Sequence, residues 1–202
     1  MLAAYGSLIA DCSTGRVGVD RNERLTALTG AVLIVLLAAL GVTILSIGPL
    51  IWWHVLLGML LIPPVLLKLG STGWRFVRYY SRSPEYVRRG PPVMPLRLLA
   101  PLVVVSTLVV FGTGVALIVV GPAGGILVLL HKASFVVWFA ATAVHVLAHL
   151  RRLLPPPQAV PGAIARGSLV AASIAAGVLI AAATIRYGDS WVHWFAGRHG
   201  GG

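Results

Sequence analysis

Five runs of apolar residues, approximately 25–47, 50–70, 97–120, 125–150 and 166–186, set the terms on which this chain can fold. Each is about twenty residues long, enough when wound as a helix to cross the roughly 30 Å hydrocarbon core of a bilayer. A soluble domain has no interior large enough to hide such segments in a chain of 202 residues that is 58% hydrophobic and 10% charged, with mean hydropathy +0.92. The pattern predicts an all-α integral membrane protein of five transmembrane helices, the first four forming a bundle and the fifth standing as an addition. In segments, it predicts an N-terminal stretch 1–24, a four-helix bundle 25–153, a proline-rich link 154–165, a fifth helix 166–187 and a tail 188–202. No separate soluble domain fits, so a large catalytic unit would be another chain. No apolar core of a cleavable signal peptide is visible in the first twenty residues, which carry Asp11 and Asp20.

The formal net charge of +11 is distributed unevenly. Arg16, Arg21 and Arg24 precede the first span; Arg75, Arg78, Arg82, Arg88 and Arg89 lie between the second and third; Arg151, Arg152 and Arg166 flank the link from fourth to fifth. The joints Ser46 to Pro49 and Gly121 to Gly125 carry no charge. By the positive-inside rule this predicts a multi-pass protein of the cell membrane with a cytoplasmic N-terminus and an extracytoplasmic C-terminus. The basic loops then serve topology and anionic lipid, and no nucleic-acid partner is expected. Trp52 and Trp53 at one boundary, and Trp74, Tyr79, Tyr80 and Tyr86 at the other, suit interfacial belts. Pro63 and Pro64 are expected to kink the second span, and Pro155, Pro156 and Pro157 to end the fourth.

What is missing narrows the chemistry. The five acids, Asp11, Asp20, Glu23, Glu85 and Asp189, all lie outside the spans or at their edges, so the carboxylate of a proton-coupled transporter is absent. Cys12 is the single cysteine, which excludes an internal disulfide and an iron–sulfur cluster built from this chain alone. Zinc spacing, a phosphate-binding glycine loop and a Ser-His-Asp arrangement are absent too.

Four histidines remain inside the apolar runs: His54, His131, His145 and His149. An ionisable side chain within a membrane is by default a functional candidate. His54 follows the start of the second span by four residues and His131 the start of the fourth by six, depths of roughly 6 and 9 Å from the same face. Two imidazoles at one level on facing helices are what axial ligation of a haem iron requires. His131 and His145 are fourteen residues apart, close to four helical turns, and so lie on nearly one face about 21 Å apart. The same step from His54 reaches Lys68. Lys68 and His145 thus form a candidate inner pair, the amine serving as an axial ligand, as the partner of a haem propionate, or only as a cation reaching for the headgroups. His149, one turn past His145, can replace it as a ligand, meet a propionate or a quinone, or be an interfacial histidine in water. Gly58 and Gly114 are candidate positions for packing against a flat macrocycle, though small residues in membrane helices also serve plain helix contact. His193 and His199 belong to the polar tail and are expected at a solvated surface.

With these residues in hand, positions 25–153 resemble the membrane-embedded cytochrome b superfamily, the b561-like di-haem subunits that anchor respiratory oxidoreductases. The resemblance rests on His54 followed by Gly58, on Thr113 and Gly114 near the end of the third span, and on His131 with His145 in the fourth. The stretch Trp74, Arg75, Tyr79, Tyr80, Gly90, Pro91, Pro92 is similar to the cytochrome b part of molybdopterin-dependent oxidoreductases, without a fused catalytic domain. The chain departs from that pattern in having no histidine in its first span and Lys68 where a fourth ligand would fall. The resemblance implies a haem-binding four-helix bundle that passes electrons between an extracytoplasmic redox subunit and quinone. Two other readings stay open: a non-redox anchor or small transporter subunit whose histidines only pack, and a self-contained cytochrome acting on a small molecule.

Overall fold

The computed structural model describes residues 2–88, 90, 94–153 and 161–199, with side chains described from Val17 onward except in 150–153 and 198–199. Helices α1 (Leu2–Leu45), α2 (Ile47–Tyr80), α3 (Pro84–Arg88), α4 (Met94–Val120), α5 (Gly125–Leu153), α6 (Ala163–Thr184) and α7 (Asp189–His199) are joined at Gly121–Ala123 and Ile185–Gly188 by 3₁₀ turns. No strand occurs among the described residues. Five stretches are long and apolar enough to span a bilayer: Val17–Leu45, Ile47–Tyr80, Met94–Ala123, Gly125–His149 and Ala163–Gly197. The protein is an all-α integral membrane protein, as lipid demands of a backbone that must satisfy its own hydrogen bonds.

The helices overrun the apolar runs that nucleate them. Residues 2–24, expected as a separate segment, are continuous with α1, because no proline interrupts the chain before Pro49 and an established helix propagates at little cost. For the same reason α2 runs on to Tyr80, with no proline between Pro64 and Pro84. The proline triplet Pro155–Pro157 lies outside the described residues, and α5 reaches Leu153 before it.

Ser46 alone separates α1 from α2, which form an antiparallel hairpin. Its open end is laced by polar contacts: Asn22 Nδ2 donates to the Ser71 carbonyl (3.1 Å), Thr26 Oγ1 to Ser71 Oγ (3.0 Å), and the Lys68 ammonium to the Thr26 carbonyl (2.6 Å). Arg75 pairs with Glu23 at 3.1 Å across the same two helices. Further along, Leu33, Leu61 and Val65 form the apolar centre, with Leu36, Leu37, Leu40, Leu69 and Phe111 around it. A second hairpin, α4–α5, is tied by Trp138 Nε1, which donates to Thr107 Oγ1 at 3.0 Å. This hairpin packs densely within itself and only sparsely against α1 and α2.

Helix α6 is not an outlier added to a bundle of four; it packs against α2 as closely as α1 does. The cause is local. Proline has no N–H, so Pro64 leaves the Leu60 carbonyl without its helical partner. Gly177 of α6 lies directly against that carbonyl, so closely that a Cβ at Gly177 would collide with the Leu60 oxygen and backbone. Small residues permit such close approach in membranes, where a Cα–H can meet a freed carbonyl.

The tail also folds. Trp191 of α7 is buried with Ile51 and Val55 of α2 and Leu117 of α4, and its indole N–H donates to the Leu117 carbonyl at 3.0 Å. It joins the two halves of the molecule at the end where the loops lack charge. Trp191→Phe keeps the ring and loses the donor, and is expected to lower unfolding free energy by about 1 kcal/mol, measured as a shift in thermal midpoint in detergent.

Candidate functional site: two levels of histidine

The histidines of the two hairpins meet near the end where the α1–α2 and α4–α5 joints carry no charge. The His54 and His131 ring centres are 6.5 Å apart with their planes at 87°. An imidazole nitrogen lies about 2 Å from a first-row metal it ligates, so two rings on opposite sides of one ion have centres roughly 6 Å apart. The observed separation fits that requirement, and perpendicular planes are compatible with it.

Each ring is held by a threonine of its own hairpin. Thr43 Oγ1 lies 2.8 Å from His54 Nδ1, and Thr113 Oγ1 lies 3.0 Å from His131 Nδ1. A threonine hydroxyl has one proton, and in both cases a carbonyl of its own helix is within reach to accept it: Leu40 for Thr43, and Val109 at 2.7 Å for Thr113. Carbonyls cannot donate. Both contacts of each hydroxyl are therefore satisfied only if Nδ1 carries the imidazole proton, which leaves Nε2 with an exposed lone pair. That is the tautomer of a metal ligand, fixed by a hydrogen bond at the other nitrogen.

Gly114 stands beside this pair: a Cβ there would lie 3.3 Å from His131 Cε1, so the glycine lets the ring sit against α4. Gly58, one turn after His54, has nothing within 4 Å of the corresponding position, and no helix contact accounts for it. Thr43 was not among the residues singled out from sequence. Its signal was present, as the only polar side chain between Ala31 and Leu45.

The second level, toward the arginine-rich end, is arranged differently. Lys68 is tied to α1 through the Thr26 carbonyl, yet lies within electrostatic reach of His145. The His145 and His149 rings stack at 4.5 Å, and His149 Nδ1 donates to the His145 carbonyl at 2.9 Å, again leaving Nε2 bare. His145 Nδ1 is buried without a hydrogen-bond partner, as is Thr142 Oγ1 one turn before it. Unpartnered buried polar atoms are costly, and two on one helix face call for an explanation. Among the described residues no cluster of three or more His, Cys, Asp or Glu could hold a metal. His193 is exposed, and the side chain of His199 lies outside the described residues.

Comparison with family models, curated proteins and solved structures yields no match.

Proposed function

We propose that the chain is a membrane cytochrome b subunit that relays electrons through b-type haem between an extracytoplasmic redox partner and the membrane quinone pool, as the electron-transfer part of a respiratory oxidoreductase complex. The observation that carries this reading is the facing pair His54 and His131, each with Nδ1 spent on a threonine and Nε2 free. Haem, when bound, supplies a one-electron iron couple. The chain's own residues do the rest. His54 and His131 would be the axial ligands of an outer haem; Thr43 and Thr113 fix their tautomer and aim; Gly114 sets the depth of the His131 ring, and Gly58 leaves room beside His54. Exposed apolar side chains around the spans keep water from the site.

At the inner level Lys68 and His145 are paired by depth, and His149 joins them by tautomer. The partnerless His145 Nδ1 and Thr142 Oγ1 suit a group that accepts hydrogen bonds, such as a second haem's propionate or a quinone oxygen. The uneven charge supports a cytoplasmic N-terminus and an extracytoplasmic C-terminus in the cell membrane, and in that orientation the His54 level would face the redox partner.

The test is a haem-to-protein ratio by pyridine haemochrome on the purified full-length chain, with a reduced-minus-oxidised spectrum. One or two haems per chain supports the reading; a colourless protein supports the rival, a non-redox anchor or transporter subunit whose histidines only pack. If two haems are found, Lys68→Met is expected to alter one of the two redox titrations and leave the other in place. A single haem per chain would overturn Lys68 as a ligand.

A further inference from the structure

The turn that ends α2 carries a large side chain where its backbone favours none. The Arg82 N–H bonds the Tyr79 carbonyl (3.1 Å) and the Ser83 N–H bonds the Arg78 carbonyl (3.0 Å). These are the paired bonds of a Schellman stop, whose residue just past the helix adopts the left-handed conformation and is usually glycine. Here it is Arg82, at φ 58°, the one non-glycine residue with positive φ among those described. The backbone cost that glycine would avoid points to a use for the side chain.

Arg82 lines a cleft of about 730 Å³ together with Tyr79, Tyr80, Pro84, Val87 and Arg88. At its edge Arg97 Nη2 donates to the Tyr80 hydroxyl at 2.9 Å, which leaves the phenolic proton available to an acceptor. Arg78 lies over the Trp74 and Tyr86 rings beside the cleft, at 5.8 and 5.9 Å, with Tyr86 buried rather than at the exposed boundary its sequence position suggested. The nearby acid is Glu85, held below the usual carboxylate range by hydrogen bonds from its own backbone N–H and the Ser83 hydroxyl. Glu85 lies within electrostatic reach of the guanidiniums of Arg78 and Arg88, and Arg88 Nε also donates to the Pro84 carbonyl at 3.3 Å, so its terminal nitrogens are the ones that reach the cleft lined by Arg82.

The level of the cleft follows from α4. Arg97 is twenty-three residues from Val120, about 35 Å along the helix. With Val120 at the opposite boundary of a hydrocarbon core of roughly 30 Å, the Tyr80 hydroxyl it holds would lie just past that core, among the headgroups. Phe76 and Val77 are 62% and 58% exposed immediately toward the core side, an apolar flank for acyl chains.

We propose that this cleft binds the phosphate of an anionic phospholipid, Arg82 and Arg88 donating to the phosphodiester oxygens and Tyr80 adding its hydroxyl, with the acyl chains laid along Phe76 and Val77. Guanidinium forks suit phosphate oxygens. Free phosphate would meet the same cations but leave the apolar flank uncovered.

The test uses the full-length chain in nanodiscs of phosphatidylcholine with increasing phosphatidylglycerol, counting retained lipids by native mass spectrometry. Arg82→Gly should leave the thermal midpoint unchanged or raised, since glycine suits the turn, while phosphatidylglycerol retention falls about five-fold, the loss expected for one basic contact near the surface. Arg88→Gln should give a similar fall. Arg186→Gln, at the opposite end, should change nothing. Retention by Arg82→Gly equal to wild type overturns the site, as does an equal fall in Arg186→Gln. Displacement of the lipid by excess inorganic phosphate would reassign the cleft to a soluble anion and overturn the lipid.

Discussion

A His54→Ala chain is expected to purify without the outer b-type signal, its haem-to-protein ratio by pyridine haemochrome one lower than wild type. Removing one of the two proposed axial imidazoles would leave His131 without its partner, and among the described residues no third His, Cys, Asp or Glu joins the pair. The threonines provide a graded companion. Thr43→Val keeps the ring and removes the acceptor that holds the proton on Nδ1, so haem affinity is expected to fall about 10- to 100-fold, the usual effect of losing a ligand's outer hydrogen bond. An unchanged haem ratio in His54→Ala would end the assignment. A structural histidine, by contrast, would give two colourless variants distinguishable from their parent only by stability.

The largest expected effect on folding is at Gly177. Valine there would drive its Cβ and methyls into the Leu60 carbonyl, and neither partner can yield, because the obstacle is backbone and not the end of a flexible side chain. Overpacking ordinarily costs about 1–3 kcal/mol, and a backbone collision belongs at or above the top of that range, so Gly177→Val should shift the thermal midpoint in detergent sharply down or prevent recovery of folded protein. Gly167→Ala is the control on the same helix: nothing lies within 4 Å of its Cβ position, and alanine should be neutral or stabilising by up to about 1 kcal/mol. Equal midpoints for the two variants would refute the proposed contact.

The spans were legible because length and apolarity alone decide them, and the shared level of His54 and His131 was legible because depth is residue count times rise. His54 and His131, expected at one depth, stand 6.5 Å apart. What sequence could not supply was rotation and company. That Thr43 turns toward His54 depends on how α1 is set around its axis, to which a uniformly apolar run gives no clue. Nor could the place of α6 be read, since the carbonyl freed by Pro64 is visible in sequence but the glycine that meets it is one of 23. Trp191, in a tail read as polar, folds inward because an indole N–H can reach a backbone oxygen that the end of α4 leaves accessible.

The division into two halves bears on how the molecule matures. His54 and its threonine belong to the half built from α1, α2 and α6, and His131 and its threonine to the α4–α5 hairpin. Each imidazole is thus aimed by a hydrogen bond within its own half, and neither takes that bond from the other half. Whatever both nitrogens gripped would act as a rivet through a seam already hinged at one end by Trp191, and its binding would tighten the whole molecule, not the pocket alone.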